Sequence, residues 1–210
     1  MPSPARAERA ALCDLFREVG PDAPTLCGTW TTRDLAAHLV VRERRPDAAA
    51  GIVNRFLADH GERVRVEETE RPWTEIIERV RSGPPAWNPM QFEPVDTAAN
   101  SVEFFVHHED VRRATEGWAV RSLSPDLEEA LAAAIRRGGG FLTRRATVGI
   151  VVEANGRQPM TLRRGTPAVT IRGPIGECVL YVYGRKDVAR VKVDGPSAAV
   201  AAVAAAPFGL

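Results

Sequence analysis

Apolar residues recur every three or four positions over the first two thirds of the chain, then change to a shorter alternation. Leu12, Leu15, Phe16 and Val19 fall at i, i+3, i+4 and i+7, the stripe of an amphipathic helix that Gly20-Pro21 closes. A second helix opens at Thr31-Thr32-Arg33-Asp34, where a hydroxyl N-cap is followed three residues later by an acid. Leu35, Leu39 and Arg42 share its face with His38, and Pro46 ends or bends it. Residues 47–60 read as helical again, and Pro72-Trp73-Thr74 opens a short helix to about residue 81 that Ser82-Gly83-Pro84-Pro85 breaks. The next helix spans roughly residues 96–116, with Val102, Phe105 and Val106 as its apolar positions and Gly117 after it. Ser124-Pro125, an N-cap followed by proline at the first helical position, starts a Leu/Ala-rich helix to about residue 137. Gly138-Gly139-Gly140 then interrupts it or marks an exit.

Beyond about residue 145 the pattern becomes that of strands. Residues 147–153 are rich in β-branched side chains, and Asn155-Gly156 is a type I′ hairpin signal. Residues 160–164, 168–172 and 188–193 read as further strands, and residues 197–206 as a short Ala/Val helix. Residues 177–183 favour a strand by propensity, although Pro174 just upstream suits a helix start. The fold class is therefore α+β. A helical bundle occupies residues 1–144, and a small α+β domain occupies residues 145–210.

Charge and composition narrow the function. Hydrophobic residues make up 44% and charged residues 26%, a balance that supports a packed core. With 28 basic and 27 acidic side chains, no field of one sign draws the chain to nucleic acid or to an anionic membrane. The arginine pairs at 112–113, 136–137, 144–145 and 163–164 are dispersed, as on solvated faces. No apolar run approaches the roughly 20 residues that span a bilayer, and the first residues lack a secretion-signal layout. Three scattered cysteines without a Cys-x-x-Cys pair fit free thiols in a reducing cytoplasm.

The chemistry rests on polar groups in apolar stripes. His38 lies between Leu35 and Leu39, while Glu103 and His107 flank Val102 and Val106. Four residues turn a helix by about 400°, so the side chains of Glu103 and His107 stack one above the other. A carboxylate and two imidazoles facing a core need pairing or a metal ion. Bundles build such sites from facing helices, and this donor set suits zinc, nickel or ferrous iron. Three protein ligands leave one position open, unless Cys27 or His108 closes the shell. Asp110 and Glu109 read as supporting groups, and Asp34 as a cap.

Two segments also carry a family resemblance. Trp30-Thr31-Thr32-Arg33-Asp34-Leu35-Ala36-Ala37-His38 resembles the Trp-Thr-x-x-Asp-Leu-x-x-His segment of the DinB-like, mycothiol-dependent maleylpyruvate isomerase superfamily. Glu103 through Arg113 resembles its second metal segment, and residues 173–195 resemble its small C-terminal domain. The resemblance implies a four-helix bundle holding a divalent ion, usually zinc, on His38, Glu103 and His107. It implies mycothiol or another low-molecular-weight thiol as cosubstrate and a small electrophilic molecule as substrate. It makes residues 177–183 helical, and it matches Arg185 to a catalytic arginine that would hold a substrate carboxylate, although Gly184-Arg185 also reads as a turn. The expected activity is isomerisation or thiol transfer. The alternative is a non-catalytic protein in which the ion is structural and the C-terminal domain mediates partner or homodimer contacts.

Overall fold

The computed structural model describes residues 2–49 and 58–209 and forms two compact units, Met1–Trp118 and Ala119–Leu210. Among the described residues, the first unit is helical. Its elements are α1 (Pro4–Val19), α2 (Thr32–Arg44), α3 (Pro46–Ala49), α4 (Ala58–Thr69), α5 (Trp73–Arg81) and α6 (Glu93–Arg112). Ser3 caps α1 by accepting from Arg6 N. A full reciprocal capping box starts α2, with Asp34 N donating to Thr31 Oγ1 and Thr31 N donating to Asp34 Oδ2.

The α1 stripe packs along α6 and against α5, and α2 lies against α4 and α5. Leu12, Phe16, Leu35, Leu39, Ile76 and Phe104 meet in one buried core. Each such side chain contributes about 1.5–3 kcal/mol by leaving water. Charge is buried beside it in matched form. Arg9 donates to both oxygens of Glu43 at 2.6 and 2.7 Å, and its guanidinium lies 4.2 Å from the Phe104 ring centroid. Asn100 donates to Glu43 and Asp96 and accepts from Arg42, so the network ties α1, α2 and α6 together.

The second unit contains α7 (Pro125–Leu142), β1 (Gly149–Ala154), β2 (Met160–Arg163), β3 (Ala168–Gly173), α8 (Ile175–Val182), β4 (Lys192–Asp194) and α9 (Ser197–Ala205). The sheet order is β2-β1-β3-β4; β1 runs antiparallel to β2 and parallel to β3, and β4 is antiparallel to β3. Ile150, Val152, Val169 and Ile171 point into the core, where α8 packs.

Several expectations shift. The units divide after Trp118, not near residue 145, because α7 packs on α8 and β2. That helix also runs through Gly138-Gly139-Gly140 to Leu142. The glycines serve close approach: a Cβ on Gly139 would lie 2.8 Å from Leu162 Cδ2, and one on Gly140 would lie 3.0 Å from Leu162 O. Residues 61–69, unassigned by the pattern, are helical in α4, where Arg65 pairs with Glu62 one turn away. The part of the 47–60 helix expectation at residues 50–57 lies outside the described residues. Gly156 has positive φ but Asn155 does not, so the β1–β2 connection is not a type I′ turn. Of the 188–193 strand expectation only residues 192 and 193 pair as strand, in β4, which extends to Asp194. Residues 175–182 are helical, buried all round after Pro174, as the family resemblance implies and against β propensity.

Candidate metal centre

The capping box fixes where α2 begins, and His38 follows one turn after Asp34. Trp30, just before that cap, packs on the His38 ring at 5.3 Å between centroids. On α6, Glu103 and His107 stack at i and i+4, with Val106 buried beside them. His38 Nε2 lies 3.5 Å from Glu103 Oε1, and His107 Nε2 lies 3.3 Å from the same oxygen. The three ligand atoms are all within 4.8 Å of one another. Ligands held about 2.0–2.1 Å from a tetrahedral ion lie about 3.3–3.4 Å apart, so these separations fit a zinc-like cation. The side chains are 14%, 20% and 12% exposed, which leaves the group at the edge of the core with access from outside.

Neighbours hold each donor. His107 Nδ1 donates to buried Asp110 Oδ2 at 2.9 Å, which leaves Nε2 directed at Glu103. A carboxylate behind a ligating histidine is the usual device for fixing its tautomer and ring orientation. Arg42, one turn after His38, places Nε 3.3 Å from Glu103 Oε1 and donates to Ala99 O and Asn100 Oδ1. Burial opposes charge on Glu103, but Arg42 and the two imidazoles outweigh it and hold the carboxyl well below its usual range. Burial likewise opposes charge on His107, but hydrogen bonds with Asp110, Cys27 and Glu103 raise it well above the ordinary histidine value. Burial lowers His38.

Neither candidate for closing the shell reaches it. Cys27 Sγ donates to Asp110 Oδ2 at 3.1 Å and lies 3.8 Å from His107 Nδ1, the ring nitrogen opposite the one facing Glu103. Cys27, His107 and Asp110 thus form a second, adjoining group. His108 Nδ1 sits 3.0 Å from Glu8 Oε2 of α1. Among the described residues, no further His, Cys, Asp or Glu joins His38, Glu103 and His107. Glu109 serves Arg112 and Arg113 instead. Burial pushes the Cys13 and Cys178 thiols up to about 12, so both are inert neutral groups. Arg185 lies in the second unit just after α8, where its Nη1 donates to Tyr183 O at 2.7 Å. The support given by Arg42 was not read from the sequence; its position four residues after His38 was the available signal.

A helical unit followed by a small α+β unit is also the fold of a solved enzyme. The crystal structure of the mycothiol-dependent maleylpyruvate isomerase superposes with a TM-score of 0.58 at 17% identity, covering 91% of this chain and 90% of that one. A histidine-to-alanine variant of that enzyme superposes with a TM-score of 0.52 at the same identity and coverage. The likeness is one of fold. No family model matches the chain, and no curated protein matches it in sequence.

Proposed function

We propose that this chain is a divalent-metal enzyme, with zinc as the ion on His38, Glu103 and His107, that activates a low-molecular-weight thiol toward a small electrophilic substrate. The observation that carries this reading is the convergence of two imidazole nitrogens on one Glu103 oxygen. A divalent ion held by these three residues would supply a Lewis acid able to make a bound thiol or water ionise near neutral pH. Glu103 provides the compensating negative charge, and Arg42 keeps it ionised and fixed. Asp110 holds the Nδ1 proton of His107. Trp30 covers one face of His38.

The shared fold supports mycothiol as the thiol, because the superposed enzyme is described as mycothiol-dependent. Isomerisation or transfer then depends on whether the thiol adduct collapses or persists. Arg185 is proposed as the donor that holds a substrate oxygen. Cys13, Cys27 and Cys178 as thiols outside any disulfide suit a cytoplasmic setting, and no helix among the described residues is long and apolar enough to cross a membrane. In the alternative, the ion only cross-links α2 and α6; a closed shell would favour that role, and neither Cys27 nor His108 supplies one.

The test is to load purified protein with zinc and assay mycothiol with a panel of electrophiles. Turnover that disappears in His38→Ala and falls in Arg185→Ala at unchanged zinc content supports the proposal. Zinc bound at one equivalent without thiol binding or turnover assigns the ion a structural role.

A further inference from the structure

Arg9 of α1, Glu43 of α2, and Asp96 and Asn100 of α6 are buried together in the first unit. Arg9 donates to both oxygens of Glu43, and its Nη2 lies 3.5 Å from Asp96 Oδ1. One guanidinium thus stands between two carboxyl groups. The amide of Asn100 completes the group: its Nδ2 donates to Glu43 Oε1 at 3.0 Å and to Asp96 Oδ1 at 2.7 Å. Met90 Sδ lies 3.6 Å from the same nitrogen.

A side-chain amide has one donating end and one accepting end. The two N–H hydrogens of Asn100 match the two carboxyl oxygens beside them. Turned over, the amide would set its carbonyl against both carboxyl groups and its NH2 against a guanidinium. The surroundings therefore fix which end faces α2, and the carbonyl Oδ1 accepts from Arg42 Nη1. Arg42 Nη2 donates to Ala99 O at 3.2 Å, so consecutive residues of α6 hold both terminal nitrogens. Nε is left facing Glu103 Oε1, at 3.3 Å. An arginine beside a carboxylate often clasps both oxygens through two parallel N–H bonds. Such a clasp on Glu103 would tie up the oxygens that a metal ion needs. Arg42 makes one contact instead, and drawing its planar fork closer would pull it off Asn100 Oδ1 and Ala99 O.

We infer that Asn100 is a positioning residue for the candidate metal centre: it holds Arg42 to a single contact with Glu103 and so keeps that carboxylate available to the ion. This role rests on the proposed reading of His38, Glu103 and His107 as metal ligands. Asn100 touches neither ion nor reactant and acts only through Arg42. Its own orientation comes from Glu43 and Asp96, and behind them from Arg9, so side chains of α1, α2 and α6 together set the surroundings of one ligand. With the Asn100 amide removed, Arg42 gains a free Nη1 and closes on Glu103, in competition with zinc.

The test is a double-variant cycle on the zinc affinity of the full chain, read by competition with a chromophoric chelator. The variants are Asn100→Leu, Arg42→Leu and the two combined. Asn100→Leu alone should weaken zinc binding about tenfold, the scale on which support behind a ligand acts. In the Arg42→Leu background the same change should alter affinity by less than about twofold, because the group it acts through is gone. A second measurement needs no variant of Asn100 to fold. Nitrogen NMR of the zinc-free, unaltered chain should give separate signals for the two Arg42 Nη groups, since their bonds to Asn100 and Ala99 hinder rotation of the guanidinium. The signals are identified by their loss in Arg42→Leu, and they should merge in Asn100→Leu.

Equal weakening in both backgrounds marks Asn100 as merely structural; that result, or full zinc affinity in Asn100→Leu, overturns the inference while leaving the metal centre in place. A single averaged Arg42 Nη signal in the unaltered chain overturns it as well, whether or not the variant folds. Zinc affinity that His38→Ala leaves unchanged puts the ion elsewhere, and the metal reading then falls together with the role of Asn100.

Discussion

Glu103 Oε1 is approached by His38 Nε2, His107 Nε2 and Arg42 Nε, all within 3.5 Å, so these side chains have distinct and separable effects. Replacing His38 by alanine removes a ligand, and elemental analysis of the purified variant should find the zinc equivalent gone. Asp110→Asn keeps the shape but weakens the anchor behind His107; metal affinity should fall about 10–100-fold by competition titration. Proton release tells the two histidines apart. In the zinc-free protein at pH 7, raised His107 carries a proton on each nitrogen, whereas lowered His38 is already neutral. Zinc binding should therefore expel about one proton, read by calorimetry in buffers of different ionisation enthalpy. The release should shrink as pH rises through the His107 value, and zinc affinity should fall as pH drops. Release of none, or of two, contradicts this assignment. The convergence of His38, Glu103 and His107 was legible in the sequence because i, i+4 spacing and flanking apolar residues fix a side chain's direction along a helix. The side of His107 on which Cys27 lies was not legible, since it depends on how the loop before α2 meets α6, a tertiary matter.

Helix starts were read well because caps are local. Thr31 and Asp34 satisfy each other's backbone donors within four residues, and Ser124 accepts from Leu127 N. Thr31→Ala should cost about 1 kcal/mol in urea unfolding, the usual loss for a cap hydroxyl. Helix ends and strand limits were read less well where packing decided them. Glycines that signal a break in isolation instead allowed α7 to lie on Leu162, and a short apolar run with strand propensity became the buried α8. Gly149 is a stricter case: a Cβ there would lie 2.4 Å from Gly165 O, a backbone atom with nowhere to go. Gly149→Ala should destabilise the second unit by about 3 kcal/mol, checked by its unfolding midpoint.

At the scale of the molecule, an ion shared by α2 and α6 should behave as a folding ligand of the first unit. Excess zinc at about 100 times its dissociation constant adds about 2.7 kcal/mol by mass action. Chelation should therefore speed amide exchange in α2 and α6, and equal effects over β1 and β3 would show that the ion's influence is not local. The buried Arg9–Glu43 pair lies under the same helices, and Glu43→Gln should cost about 3–5 kcal/mol because it strands a desolvated guanidinium. The division after Trp118 escaped the periodicity, because α7 has the same repeat whichever neighbours it packs on. Asp34 has two duties: it starts the helix bearing His38, and it grips Arg65 of α4. A change at Asp34 therefore loosens the start of α2 and its tie to α4 together. Glu62 grips the same Arg65 but takes no part in the α2 cap, so a change there leaves the start of that helix intact.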